Sequence, residues 1–393
     1  MKLKPNCECC DKDLPAEQSG AVVCSFECSF CADCAENLLA YRCPNCGGEL
    51  VARPRRTIER QQSHPSSTER VNKRHRCLDY REDEQQLRTT TGVLYGSLLL
   101  PARKPKAWVL LIAGSGPTDR QGNSPGSPQR NNCLRYLALD LATQGIASLR
   151  YDKRGVGASA AACSHEATLN FDHYVDDAKA WLAHLRLKAS GPVSVLGHSE
   201  GAQIATRVAE KLSVASVVNL CGAGRPLDEL LLEQLKKQLP PDLYQKAEQI
   251  LAYLHELSLH EQYRKAAKPG LLRRRSNSLP KAPDVPPELN ALFKPSKHAF
   301  YISRLRERPD RELETLKCPV LIVSGDADIQ VPLHDYERLI QAAPNASKLR
   351  IAGMNHLLKP VGTDANLQHK SYVDAAMPID ASLVAAVSKF LIA

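Results

Sequence analysis

The pentapeptide Gly197-His198-Ser199-Glu200-Gly201 follows the apolar run Val193-Ser194-Val195-Leu196 and precedes a helix-like stretch from Ala202 to Lys211. This is G-x-S-x-G set between a strand and a helix. Such a turn lifts a serine hydroxyl above the end of a parallel sheet, and its glycines stand where a side chain would clash in so sharp a bend. The pentapeptide alone occurs by chance. Its setting makes Ser199 a candidate nucleophile and requires strand, turn and helix in that order.

A serine nucleophile needs a base, and the base needs an orienting carboxylate. Downstream, Pro319 to Ser324 is a short continuous apolar run, the pattern of a strand buried on both faces. It leads into Gly325-Asp326-Ala327-Asp328-Ile329-Gln330-Val331-Pro332. A carboxylate there lies at the carboxyl end of a strand, where open α/β sheets place their sites. Asp328 is the candidate acid and Asp326 the fallback, with capping of a helix starting near Leu333 as Asp326's alternative role. A further short strand, Lys348 to Ile351, precedes Ala352-Gly353-Met354-Asn355-His356. Of the twelve histidines, His356 is the one just beyond a strand on the far side of the acid, which makes it the candidate base. His198 reads as structural, and His255 and His260 as solvated.

An oxyanion hole takes one backbone N–H from the residue after the nucleophile, here Glu200, and one from a loop after an earlier strand. Trp108 to Ala113 reads as that strand, and Gly114-Ser115-Gly116-Pro117 follows it. Ser115 is assigned as the second donor, with Gly116 as the alternative and an ordinary Gly-Pro turn as the plain one.

With these pieces in order, residues from about 86 to 393 resemble an α/β-hydrolase, and more closely the bacterial serine carboxylesterase branch. The likeness is carried by Gly114-Ser115-Gly116-Pro117-Thr118-Asp119-Arg120, by Leu149 to Ser159, and by the elbow itself. The resemblance implies a mostly parallel, doubly wound sheet with a helical cap, and hydrolysis of esters of small acyl groups through an acyl-serine. Thioesters, lactones and peptides are served by the same groups. Asp152-Lys153-Arg154-Gly155 reads as a structural turn with internal ion pairs. The cap is expected at about 225–312, with helices over Leu227–Leu239 and Leu243–Tyr263, a basic break over Lys265–Asp284, and a short helix carrying Phe300 and Tyr301. Phe293, Phe300 and Tyr301 are pocket candidates, with plain packing as the alternative.

Nine of the fourteen cysteines lie in the first forty-six residues. They fall as Cys7-x2-Cys10 with Cys9 between, Cys24-x3-Cys28, Cys31-x2-Cys34 and Cys43-x2-Cys46. Tetrahedral zinc takes four such ligands, and a tight C-x-x-C loop delivers two. Two structural Zn2+ ions are expected. In the interleaved scheme, Cys7, Cys10, Cys31 and Cys34 hold one and Cys24, Cys28, Cys43 and Cys46 the other. Sequential pairing is the alternative, and Cys9 either replaces Cys7 or stays free. The Met1-Lys2-Leu3-Lys4-Pro5 start has no apolar signal segment, so a cytoplasmic location is expected over an oxidised, disulfide-bonded one. This region resembles a small bacterial zinc-domain family of unknown function.

The reading therefore divides the chain into a cysteine-rich two-zinc domain at 1–52, a basic polar linker at 53–84 and the hydrolase at 85–393. The net charge of +9 gathers partly in the linker and the cap break. A basic segment beside a zinc module invites a nucleic-acid reading, but no base-reading helix and few aromatics support it. A solvated linker is favoured, and docking of a protein partner through the cysteine-rich domain is the intermediate reading. A binding adaptor that keeps the hydrolase fold only as a scaffold is the alternative of another class. No apolar run reaches membrane-spanning length. Deleting residues 1–52 is expected to leave turnover of a small ester largely unchanged.

Overall fold

The computed structural model describes residues 1–73, 80–124, 130–266 and 281–393, the side chains of 262–266 excepted. Eight strands form one sheet in the order β11-β10-β9-β8-β6-β7-β5-β4. They are β4 (Tyr80–Thr89), β5 (Gly92–Pro101), β6 (Ala107–Ile112), β7 (Ile146–Tyr151), β8 (Val193–His198), β9 (Val217–Leu220), β10 (Val320–Gly325) and β11 (Ser347–Ile351). The first two run antiparallel as a hairpin and β5 pairs antiparallel with β7, whereas the other neighbours are parallel. Strands β6, β7, β8 and β10 are buried along their whole length. Burial on both faces is why their sequences are nearly unbroken apolar runs instead of alternating ones.

Helices cover both faces. They are α3 (Cys133–Thr143), α4 (Phe171–Arg186), α5 (Glu200–Lys211), α11 (Leu333–Ala342), α12 (Ala365–Val373) and α13 (Ala381–Ile392). Two apolar clusters lie on either side of the sheet. One joins Val109 and Leu111 to α3 and α13, and the other joins Leu110 and Ile112 to α4 and α5. This is the α/β-hydrolase architecture.

Between β9 and β10 lies the cap, made of α6 (Leu227–Lys236), α7 (Pro241–Ala266), α8 (Asn290–Phe293), α9 (His298–Arg304) and α10 (Pro309–Glu314). It has its own core of Leu235, Ile250, Leu254, Leu289, Phe293 and Leu305. Part of the basic break, 267–280, lies outside the described residues. Of the pocket candidates, Phe293 is fully buried inside the cap. Phe300 packs edge-on against Phe171 and Tyr174 and so fastens the cap to α4.

The N-terminal region is a second, smaller unit. A three-stranded antiparallel sheet, in the order β2-β1-β3, is built from β1 (Ala21–Val23), β2 (Ser29–Cys31) and β3 (Val51–Ala52), with α1 (Ala32–Asn37) beside it. The segment expected as a linker carries more structure than its composition suggests. It contains α2 (Ile58–Ser63) and the first half of β4. The buried Arg53 donates to the carbonyls of Lys4, Leu14 and Pro15, and Arg70 pairs with Asp11 and Asp13. Basic residues that read as solvated charge here tie the segment back onto the cysteine-rich unit. Residues 74–79 lie outside the described part.

This unit rests on α3. Tyr41 meets Tyr136 edge-on with ring centres 6.3 Å apart. Arg42 lies 3.5 Å from the carboxylate of Asp140 and donates to the carbonyl of Ile379 at 3.0 Å. Tyr80 donates to the carbonyl of Asn37, and Arg135 to its side chain. Burial pushes the Asp140 carboxyl up to about 6 against the pull of Arg42.

Candidate active site

Ser199 sits between β8 and α5 with φ 55° and ψ −122°, a strained conformation for a residue with a side chain. The neighbouring glycines are required by close backbone approach. A Cβ on Gly197 would lie 1.9 Å from the carbonyl oxygen of Gly201, and one on Gly201 would lie 2.3 Å from that of Ile112. The peptide nitrogen of Ser199 is already engaged, donating to Leu220 at 2.9 Å.

Asp328 and His356 both lie in loops at the carboxyl ends of strands, β10 and β11 respectively. His356 Nδ1 is 2.7 Å from Asp328 Oδ2, and both side chains are buried. The other oxygen of Asp328 accepts from the peptide nitrogens of Gln330 and Val331 at 2.8 and 2.9 Å. Three nitrogens thus fix one carboxylate. Asp326 does not cap α11, whose N-cap is Pro332. It accepts from the Gly353 nitrogen at 2.6 Å and pairs with Arg350, tying the β10 loop to the β11 loop.

His198 links the elbow to the His356 loop. Its Nε2 lies 2.7 Å from the carbonyl oxygen of His356, so Nε2 carries the proton and donates. Burial and the neighbouring His356 lower its pKa to about 3, so it is neutral. Its structural reading agrees with this arrangement. His255 departs from a purely solvated reading, since its Nδ1 lies 3.1 Å from Asp228.

The loop after β6 passes directly over Ser199. A Cβ on Gly114 would be 3.2 Å from Ser199 Cβ and 3.4 Å from His198 Nδ1. Ser115, Gly116 and Glu200 have peptide N–H groups without a hydrogen-bond partner among the described residues. Ser115, Gly116 and Glu200 can therefore each offer a donor.

Asp152-Lys153-Arg154-Gly155 differs from the expected self-contained turn. Its charged side chains reach outward. Asp152 accepts from the Arg120 and Ala158 nitrogens, and Arg154 pairs with Asp177 of α4. Lys153 is buried, donating to Gly114 O at 2.5 Å and to Glu200 Oε1 at 3.3 Å. These partners lie 39 and 47 residues away in the chain, so no local sequence signal announces them.

In the cysteine-rich unit, the sulfurs of Cys7, Cys10, Cys31 and Cys34 all lie within 4.8 Å of one another, and Cys10 and Cys31 are 3.7 Å apart. A zinc–sulfur bond of ~2.3 Å implies tetrahedral sulfur–sulfur edges of about 3.8 Å, so this set fits. Cys24, Cys43 and Cys46 form a second group, and Cys28 is not within it. The longer C-x3-C spacing closes a tight turn, with the Cys24 nitrogen on the Cys28 carbonyl and Glu27 at φ 60°. The Cys28 thiol remains beside Cys24 and the Asn45 side chain. Cys9 is buried next to Cys34. The described cysteines form no disulfide. These groups can hold metal.

No helix among the described residues is long and apolar enough to cross a membrane. Comparison with known proteins divides the chain as its architecture does. Residues 1–56 match a family described as a protein of unknown function, DUF1272, and residues 126–358 match the family described as Serine aminopeptidase, S33. An uncharacterized protein of Rhizobium meliloti is 53% identical over 81 residues, which are 21% of this chain and 96% of that protein. Esterase EstD of Thermotoga maritima is 28% identical over 294 residues, spanning 72% of this chain and 63% of EstD. Among solved structures, Est1E from Butyrivibrio proteoclasticus with ferulic acid bound aligns with a TM-score of 0.47 at 17% identity, over 78% of this chain and 98% of that one. Proline iminopeptidase of Mycobacterium smegmatis aligns with a TM-score of 0.47 at 15% identity, over 79% and 97%. The chain belongs to the Serine aminopeptidase, S33 family of α/β-hydrolases and is an enzyme of the esterase and serine-hydrolase kind, with a DUF1272 unit at its N-terminus.

Proposed function

We propose that this enzyme hydrolyses carboxylic esters of small acyl groups through an acyl-serine, with Ser199, His356 and Asp328 as its triad. The observation that carries the reading is the 2.7 Å bond from His356 Nδ1 to a carboxylate that is itself held by two peptide nitrogens, beside a serine in a strained turn. Ser199 Oγ attacks the carbonyl carbon while His356 Nε2 takes its proton. Asp328 holds the imidazole in the required tautomer and stabilises its charged form. The N–H groups of Glu200 and Ser115 receive the oxyanion, with Gly116 as the other donor in reach. Collapse expels the alcohol, which takes the proton from His356. Water, deprotonated by His356, then attacks the acyl carbon and releases the acid and free Ser199.

Two zinc ions in the cysteine-rich unit complete the proposal. Cys7, Cys10, Cys31 and Cys34 would hold one, and Cys24, Cys43 and Cys46 with Cys28 the other. When bound, each supplies cross-linking of short loops and no chemistry, because four thiolates leave no position for water. Within the chain, Glu8 supports these loops, pairing with Lys4 and accepting from the Ser29 nitrogen and the Asn45 amide.

The test is hydrolysis of p-nitrophenyl acetate, butyrate and decanoate, with alanine p-nitroanilide for the peptidase reading that the family description favours. Burst release of p-nitrophenol and a preference for the short esters are expected. Cleavage of the anilide alone would replace the ester reading.

A further inference from the structure

Lys153 is buried, yet it is an ammonium with no role in the proton transfers above. A buried lysine is costly unless paired, and burial lowers its pKa while Glu200 opposes that shift. Its three neighbours belong to three separate elements. Its Nζ donates to the Gly114 carbonyl at 2.5 Å, in the loop after β6, and lies 3.3 Å from Glu200 Oε1, on the first turn of α5. It also sits 4.9 Å from the centre of the Tyr174 ring on α4. Gly114 precedes one proposed oxyanion donor, Ser115, and Glu200 carries the other. The Gly114 carbonyl and the Ser115 N–H belong to one peptide group. The described residues contain no cis peptide bond, so this carbonyl and this N–H point in opposite directions. Holding the carbonyl on the buried side therefore aims the Ser115 N–H toward the open side. The same ammonium polarises that peptide and makes its N–H a stronger donor. Within the loop, Thr118 Oγ1 donates to the Ser115 carbonyl at 2.7 Å, a bond that holds the following peptide and not the Gly114–Ser115 one.

We propose that Lys153 is a positioning residue for the oxyanion hole, clamping the Gly114–Ser115 peptide and the start of α5 so that their N–H groups converge on the developing charge. The inference rests on the serine-esterase reading. Neighbouring bonds act in the same direction at the far end of the loop. Asp152 accepts from the Arg120 nitrogen at 2.8 Å, and Arg150 donates to the Arg120 carbonyl at 3.2 Å. The end of β7 and the segment following it therefore grip the loop at both ends, and Lys153 is the grip nearest Ser199.

The test compares wild type with Lys153→Met and with Lys153→Met/Glu200→Gln, the double variant removing both buried charges so that neither is left unpaired. Folding is checked by circular dichroism. Kinetics are measured on p-nitrophenyl acetate, together with inhibition by an alkyl trifluoromethyl ketone, which forms a tetrahedral oxyanion on the serine. Loss of one oxyanion donor costs roughly 10²- to 10³-fold in kcat, so a misaligned donor is expected to cost about 10- to 100-fold. KM should change by less than about threefold, and ketone affinity should fall in step with kcat/KM. The proposal is overturned if a folded variant keeps kcat within about threefold, or if KM rises while ketone affinity holds. Failure of both variants to fold would also overturn it, by assigning Lys153 to stability alone. An inactive wild type would instead remove the esterase reading, a result separate from any of these.

Discussion

The two units of this chain are specified in different ways. In the hydrolase, order begins with buried apolar strands, and the proposed triad lies in loops at the carboxyl ends of the sheet: Ser199 after β8, Asp328 after β10 and His356 after the more exposed β11. In the N-terminal unit the strands are two or three residues long, and thiols from four separate loops meet in two groups. A unit this small has little apolar core, so the proposed metal cross-links would supply much of its stability. The hydrolase site therefore tolerates loss of one side chain without losing its fold, whereas the cysteine-rich unit should lose fold and function of its thiols together. The α3 interface couples the two, because Tyr136 and Asp140 are covered from both sides.

The sharpest way to break the comparison is Ser199→Ala. The fold should survive, while kcat on p-nitrophenyl acetate should fall by about 10⁶-fold. An unfolded variant, or one with near-normal rate, would contradict the claim that chemistry and fold are separable here. Asp328→Asn should cost about 10⁴-fold through the wrong imidazole tautomer, again without unfolding.

Metal removal probes the other unit. Exhaustive chelation should unfold the cysteine-rich region, seen as lost amide-exchange protection over residues 1–56. The hydrolase should remain folded with its melting temperature lowered by roughly 5–10 °C, since the Tyr41 and Arg42 contacts are worth a few kcal/mol together. Deletion of residues 1–52 should do the same and leave kcat largely unchanged at moderate temperature. A collapse of kcat in folded truncated protein would show that the unit shapes the site itself.

The smallest effects are in pH dependence, where interface and site respond with opposite sign. Asp140 has its pKa raised from 3.8 to about 6, so its native environment favours the protonated form. Stability from this group is present below about 3.8 and lost as pH rises through 6. Asp140→Asn should remove that loss, gaining about 3 kcal/mol on wild type across the window in urea titrations. His198 has its pKa lowered from 6.5 to about 3, so its contribution is present above 6.5 and lost as pH falls. His198→Asn should flatten the acid limb of the stability curve. Equal curves for variant and wild type would remove either assignment.

Much of the architecture is legible in the sequence because its signals are local. Continuous apolar runs mark the doubly buried strands, and candidate site residues follow β6, β8 and β10 at short range. Cysteine pairs mark the loops whose thiols gather into two groups in the same way. The hidden parts depend on partners far along the chain. Nothing near Arg42 indicates Asp140, and nothing near Lys153 indicates Gly114 or Glu200. Asp326 and Asp328 are alike as text, and only the approach of the β11 loop separates the one that holds Gly353 from the one that holds His356. Composition misleads at Arg53 and Arg70, where basic residues in a polar stretch are bound to backbone carbonyls and carboxylates.

By itself, then, the sequence determined the strand–turn–helix elbow, the parallel sheet, the cap insertion and the groups of sulfur ligands, because periodicity, glycine sterics and ligand spacing act over a few residues. The tertiary structure alone decided which cysteines meet, which aspartate faces the imidazole, how the two units dock and where the buried ammonium of Lys153 lies, because those outcomes depend on distances through space that no spacing along the chain encodes.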